Sequence, residues 1–166
     1  MITELTEIEI KKLPHMFRIS LALFFAKQAI HLTSFKEAHR CVVLVEKYLE
    51  NKASKEECYL AAEATRAIIA TIETLDSATN TANIQAAHAA ANAAYAVGRA
   101  SSHVDYTPNC TAWAGNYATN AIASTIDALS SIEIYVESKN KTIKEQRDYY
   151  NDLLNFDEIF EKEVLC

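Results

Sequence analysis

AAHAAANAAYAVGR, residues 86–99, is alanine at nearly every position, and its exceptions are ordered. His88, Asn92, Tyr95 and Arg99 follow one another at i, i+4, i+7 and i+11. At about 100° per residue this spacing places all four in one strip along the side of a helix. Alanine on the remaining faces lets neighbouring helices approach closely. A polar strip in such surroundings needs partners, because an unpaired buried polar group costs about 1–3 kcal/mol. The stretch predicts a central helix packed among others, with its polar strip turned toward groups that they supply.

Two further segments offer those groups. Trp113, Tyr117, Asn120, Ser124 and Asp127 repeat the spacing at i, i+4, i+7, i+11 and i+14, again on an alanine-rich background. Upstream, another alanine-rich run carries Glu63 and Arg66. If the three segments are neighbours, Glu63, Arg66, His88, Asn92, Tyr95, Arg99, Trp113, Tyr117 and Asn120 form one polar seam. Such a seam either locks helix register through hydrogen bonds or lines a ligand pocket.

The chain of 166 residues holds only two glycines and two prolines, too few breakers for a turn-rich β architecture. The expected fold is all-α: one domain over residues 1–166, a bundle of six to eight helices around the alanine-rich one. Residues 3–33 supply N-terminal helices, with Pro14 dividing 3–13 from a strongly apolar run at 15–33. Residues 34–136 form the alanine-rich core, and 141–166 a C-terminal helix and tail. Ser34–Glu37, Ser54–Glu57 and Thr142–Glu145 each match the capping-box pattern that opens a helix. Residues 76–83 read as a connection, and 104–111, which include Pro108, as a loop. Thr111 is placed to cap a helix running to about Val136, and residues 139–142 form a polar break. Residues 157–165 read as a short helix or docked tail.

A net charge of −6, from 22 acidic and 16 basic residues, gives no basic groove and argues against nucleic-acid binding. The N-terminus lacks an apolar signal core, and the most apolar run, 19–30, is interrupted by Lys27 and too short for a bilayer. A soluble, cytoplasmic protein is expected, without a membrane contact. Cys41, Cys58, Cys110 and Cys166 contain no CxxC pair, so neither a zinc site nor a disulfide scaffold is expected. No nucleophile motif, glycine-rich phosphate loop or HExxH occurs. Catalytic residues, metal and cofactor are therefore all read as none, although Glu63 and His88 are the pair that acid–base chemistry would use. A separate run of acids and aromatics near the C-terminus, with Asp148, Tyr149, Asp152, Asp157 and Glu161, is a candidate surface for a basic partner.

Lys36–Leu49 with the following connection to Glu57, then residues 86–104, then WAGNYA at 113–118, together resemble the alanine-rich, all-helical immunity proteins that accompany bacterial polymorphic toxins. The chain departs from that pattern in carrying Trp113 where a histidine is expected. The resemblance implies a non-enzymatic, cytoplasmic protein that binds and neutralises a cognate toxin. Two other readings stand beside it. Arginines among aromatics suit a phosphorylated or nucleotide-like small molecule, or an enzyme, working at His88, Tyr95, Arg99 and Trp113. Alanine-rich helix faces would also suit a homo-oligomer.

Overall fold

The computed structural model describes residues 3–75, 81–99, 105–125 and 132–164, leaving out the side chains of 74–75, 132–133 and 158–164. Its helices are α1 (Glu7–Ile10), α2 (His15–Ala29), α3 (Lys36–Leu49), α4 (Lys55–Leu75), α5 (Thr81–Gly98), α6 (Thr107–Ala123) and α7 (Ile132–Val164). A 3-10 turn at Ile30–Leu32 follows α2. The all-α expectation holds, and no strand occurs among the described residues. Among them, no helix is long and apolar enough to cross a membrane.

Helix α5 carries the alanine stretch and is the centre of the packing, with α2, α3, α4 and α6 all resting on it. Every residue from Ala89 to Val97 is buried. Side chains mostly no larger than a methyl group let four helices converge closely on one axis. The alanines of α5 from Ala86 to Ala96 are covered by the chain's own helices. Helix α2 is apolar nearly all round, as its sequence suggests, and buries Ile19, Leu21, Phe25 and Ala29.

Hydroxyls and amides tie the helices in register. Thr107 donates to the Ala96 carbonyl at 3.0 Å, joining α6 to α5, and Thr111 donates to that of Arg18 at 3.2 Å, joining α6 to α2. The Gln146 side chain, on α7, donates to the Gly115 carbonyl at 3.2 Å and to Gln28 at 3.1 Å. Gly115 is required there, since a Cβ would stand 2.9 Å from the Phe25 ring. Arg147 holds the N-terminal segment through the Thr3 carbonyl at 2.5 Å and Glu9 at 3.1 Å, while Tyr150 donates to the Glu9 carbonyl at 2.8 Å.

The ends of the helices show where local signals prevail. The Ser54–Glu57 capping box forms, with its two bonds at 2.8 and 3.1 Å. A second forms at Thr6–Glu9, opening α1, which is much shorter than the expected 3–13. The Ser34–Glu37 box does not form. The Ser34 amide is taken by Asn83 of α5 at 3.3 Å, and Phe35 occupies the cap position. At the end of α3, Asn51 takes the left-handed conformation, φ +58°. Its amide reaches the Tyr48 carbonyl and that of Lys52 the Lys47 carbonyl, which completes a Schellman motif with asparagine in place of glycine.

Further boundaries differ from expectation, beginning with α5, which starts at Thr81 inside the stretch expected as a connection. Residues 107–111 are helical rather than loop, because Pro108 sits in the first turn of α6, where its missing N–H is not needed. Thr111 is thus a buried helical residue and no cap. Helix α6 stops at Ala123 instead of running to Val136, where Ser124 and Thr125 turn their hydroxyls back onto the Asn120 and Ile122 carbonyls at 2.7 Å. Residues 139–142 continue α7 unbroken. Thr142 is buried and donates to the Ser138 carbonyl of its own helix at 3.1 Å, so the Thr142–Glu145 pattern opens no helix, and Lys139 pairs with Glu4 at 3.2 Å. Residues 157–164 belong to the same helix. Residues 76–80, residues 100–103 at the expected end of the alanine-rich helix, residue 104 of the expected loop, Asp127 and Cys166 lie outside the described residues.

Ala93 is fully buried on α5. Ala93→Leu is expected to lower unfolding free energy by about 1–3 kcal/mol through overpacking. Denaturant unfolding checks this, and a variant as stable as the parent would mean that the face has room.

Candidate functional site

The three alanine-rich segments are neighbours, and they bring most of the polar seam together. Arg66 on α4, His88, Asn92 and Tyr95 on α5, Arg99 just beyond its end, and Trp113 and Tyr117 on α6 line one cavity of about 90 Å³. Glu63 stands behind it as the acceptor of the Tyr95 hydroxyl. Asn120 is not among the described lining residues. It lies half-buried one turn further along α6, with its carbonyl taken by Ser124.

Tyr95 is the hub. Its ring is buried, with 2 % of its surface exposed, while its hydroxyl donates to Glu63. The Arg99 guanidinium carbon lies 4.1 Å from the ring centroid, that of Arg66 lies 5.8 Å away, and the Tyr59 ring meets it edge-on at 5.8 Å. A guanidinium over an aromatic face is attracted by the ring quadrupole, worth about 0.5–2 kcal/mol depending on desolvation. The opposite wall is a second stack. The His88 and Tyr117 rings are nearly parallel, 4.6 Å apart and inclined by 18°. Asn92 donates to the His88 carbonyl at 2.9 Å.

Electrostatics divide the site into cationic lining and acidic rim. Burial pushes His88 below its ordinary value, and Arg66 adds to this, while Glu73, 3.7 Å from Nε2, works against both. Burial and the hydrogen bond to Glu63 push Tyr95 up to about 12, against the pull of Arg66. The interaction with Tyr95 in turn favours the charged form of Arg66. Among the described residues neither Arg66 nor Arg99 forms a salt bridge, and no carboxylate lines the cavity. Elsewhere Arg18 pairs with Asp105 and Arg147 with Glu9, while the exposed Arg40 forms no salt bridge among the described residues. Two arginines stacked on aromatics around a common small space can hold an anionic group by charge-assisted hydrogen bonds.

Glu73 was not picked out from the sequence, although a signal for it exists. Tyr59, Glu63, Arg66 and Glu73 fall at i, i+4, i+7 and i+14 on α4, the same strip spacing as on α5 and α6. An apolar groove beside the cavity, at Glu56, Tyr59, Leu60 and Gly98, was also missed. Its floor is a close helix contact, since a Cβ on Gly98 would stand 2.7 Å from the Tyr59 Cβ.

The C-terminal candidates do not converge. Asp148 is exposed and pairs with Lys144 at 2.8 Å. Tyr149 turns inward and stacks on Phe24 at 4.3 Å, so it serves helix packing. Asp152 is exposed and Asp157 half-buried, and the Glu161 side chain lies outside the described residues. Cys41, Cys58 and Cys110 are free and buried, with burial pushing their thiols up to about 11, 12 and 11. Among the described residues no group of three or more His, Cys, Asp or Glu could hold a metal ion.

Tyr95→Phe is expected to lower stability by about 0.5–1.5 kcal/mol through the lost hydrogen bond, with more lost if Glu63 is left dry. A phenol whose pKa is raised on folding stabilises the protein fully below about 10, its unfolded value, and this contribution fades as pH rises toward about 12. The buried thiols act in the same direction, so the test is the difference between parent and variant. Stability curves that differ by a constant amount from pH 9 to 12 would refute this role for Tyr95. Comparison with family models, with curated proteins and with solved structures gives no match for the chain.

Proposed function

We propose that the protein is a binding protein that captures an anionic group in the seam cavity between α4, α5 and α6. The observation that carries this reading is the pair Arg66 and Arg99, without salt-bridge partners among the described residues and lining a common cavity free of described carboxylates. Arg66 is exposed and Arg99 half-buried, so water reaches both guanidinium groups, and an anion can take its place as acceptor. A volume near 90 Å³ suits one phosphate- or carboxylate-sized group and is well below the several hundred Å³ of pockets that enclose whole metabolites. The remainder of the ligand would then lie outside, near Trp113, which is half-exposed at the mouth. His88, Asn92 and Tyr117 add further hydrogen-bonding groups around the same space.

A second reading changes the partner. Neutralisation of a bacterial toxin in the cytoplasm, as the resemblance implies, would use the same place as an anchor for an acidic side chain. It is favoured by Trp113 and Leu60, whose exposures of 51 % and 66 % leave large contact groups beside the seam and its neighbouring groove. Tryptophan and arginine are the residues that most often dominate protein interfaces. A stoichiometric complex with the product of an adjacent toxin gene would support it.

Trp113 is the only tryptophan of the chain, so its fluorescence reports on the seam directly. Titration with inorganic phosphate is expected to give a saturable change that Arg66→Gln weakens by about tenfold or more, the worth of one charged hydrogen bond. An emission spectrum and a melting temperature that ignore phosphate and sulfate alike would overturn the small-anion reading.

A further inference from the structure

We propose that the natural ligand of this site is an amphipathic anion, its charged head in the seam cavity and its apolar portion in the adjoining groove of α4 and α5. The proposal rests on the anion-capturing reading of the seam and assigns the groove a role in it. The groove is open to solvent, offers about 390 Å³ and is lined, among the described residues, by Glu56, Tyr59, Leu60 and Gly98. Its apolar side chains are unusually open, with Leu60 exposed by 66 % and Tyr59 by 37 %. Tyr59 and Leu60 thus give the groove an apolar wall next to the polar cavity.

Groove and cavity are two halves of one feature. Tyr59 lines the groove and packs edge-on against Tyr95, which lines the cavity. Gly98 belongs to the groove, and the next residue, Arg99, to the cavity. Along α4, Glu56, Tyr59, Glu63 and Arg66 follow at i, i+3, i+7 and i+10, one stripe of the helix. Tyr59 lies on that stripe, and Leu60 beside it is about 9 Å from Arg66 along the axis at 1.5 Å per residue and about 120° round the helix. A ligand whose head sits between the arginines therefore meets Tyr59 first and reaches Leu60 with a longer chain that bends over the edge of that ring.

The charges set its direction. The two arginines lie at the cavity end, and a carboxylate, Glu56, stands at the groove end. An anion in the groove would face Glu56 without a described cation among the lining residues, whereas an alkyl or aryl group there meets Tyr59 and Leu60. The head-in-seam orientation is the one that satisfies both ends. A ligand with an anionic group at each end would be disfavoured for the same reason.

A homologous series from methyl to hexyl phosphate, with inorganic phosphate as reference and Trp113 emission or calorimetry as readout, tests the assignment. Affinity is expected to stay level for chains too short to pass Tyr59. It should then rise by up to about fourfold per added methylene, the factor that corresponds to burying one such group. In Leu60→Asn, at an exposed position, that rise should disappear while the shortest members bind as before. In Arg66→Gln every member should bind more weakly by a similar factor. A series that stays flat in the parent protein, or that rises equally in Leu60→Asn, overturns the groove assignment while leaving capture of the head group standing. A rise that survives Arg66→Gln without weakening overturns the pairing of groove with seam. Failure of inorganic phosphate and every ester to bind overturns both.

Discussion

Everything in this protein depends on burying α5 from every side. A helix surrounded by four others must present side chains small enough for all of them to approach, and a run of alanines does so at little cost in side-chain entropy. Alanine, however, contributes little apolar area per residue. Larger groups therefore come from the partners, with Phe25 and Ile19 from α2, Val45 from α3 and Ile69 from α4. The close approaches at Gly98 against Tyr59 and Gly115 against Phe25 belong to the same scheme. Both glycines sit where a neighbouring helix leaves no room for a Cβ.

The second consequence concerns polarity. From Ala89 to Val97 the helix has no solvent face on which to place polar residues and, Gln85 Oε1 being buried without a described partner, most but not all polar groups of α5 are satisfied internally. Asn83 does this by accepting from Thr33 at 2.6 Å and from the Ser34 amide, which anchors the start of α5 to the turn before α3. Tyr95 does it through Glu63 and two guanidinium groups. Between Tyr95 and the His88–Tyr117 stack the polar groups do not close upon one another, and the cavity is the space that remains. The seam is thus part network and part pocket. Its network half orients Arg66 and Arg99, and its pocket half gives them something to face.

The strips on α5 and α6 were legible because polar residues on an alanine background leave an unambiguous period, and the seam they imply is largely what forms. The weaker strip on α4 was read only as far as Glu63 and Arg66. Tyr59 and Glu73 share its spacing, but they are set among Thr, Ile and Glu residues that blur the pattern. Asn120 has the right period and does not reach the described lining of the cavity, since spacing places a residue on a face without saying how far along the helix its neighbours extend. Near the C-terminus, acids and aromatics suggested a surface. Tyr149 and Tyr150 instead pack inward, on Phe24 and on α1, while Asp148 and Asp152 remain exposed.

The sequence by itself determined that the fold is helical, which helix lies at its centre and which polar residues that helix turns toward its neighbours. These follow from periodicity, from the scarcity of glycine and proline, and from the small size of alanine, all of which act over a few residues. Only the tertiary structure decided where helices stop and which cap signals are used. Asn83 displaces the Ser34 box, the docking of α7 carries helix through residues 139–142, and α6 begins early enough for Thr107 and Thr111 to bond α5 and α2. It also decided that Arg66 and Arg99, 33 positions apart in the chain, lie on the same aromatic ring beside an open space. Local energies of a cap or a break amount to about 1 kcal/mol. Contacts between helices outweigh them wherever the two compete, and a cavity is set by such contacts alone.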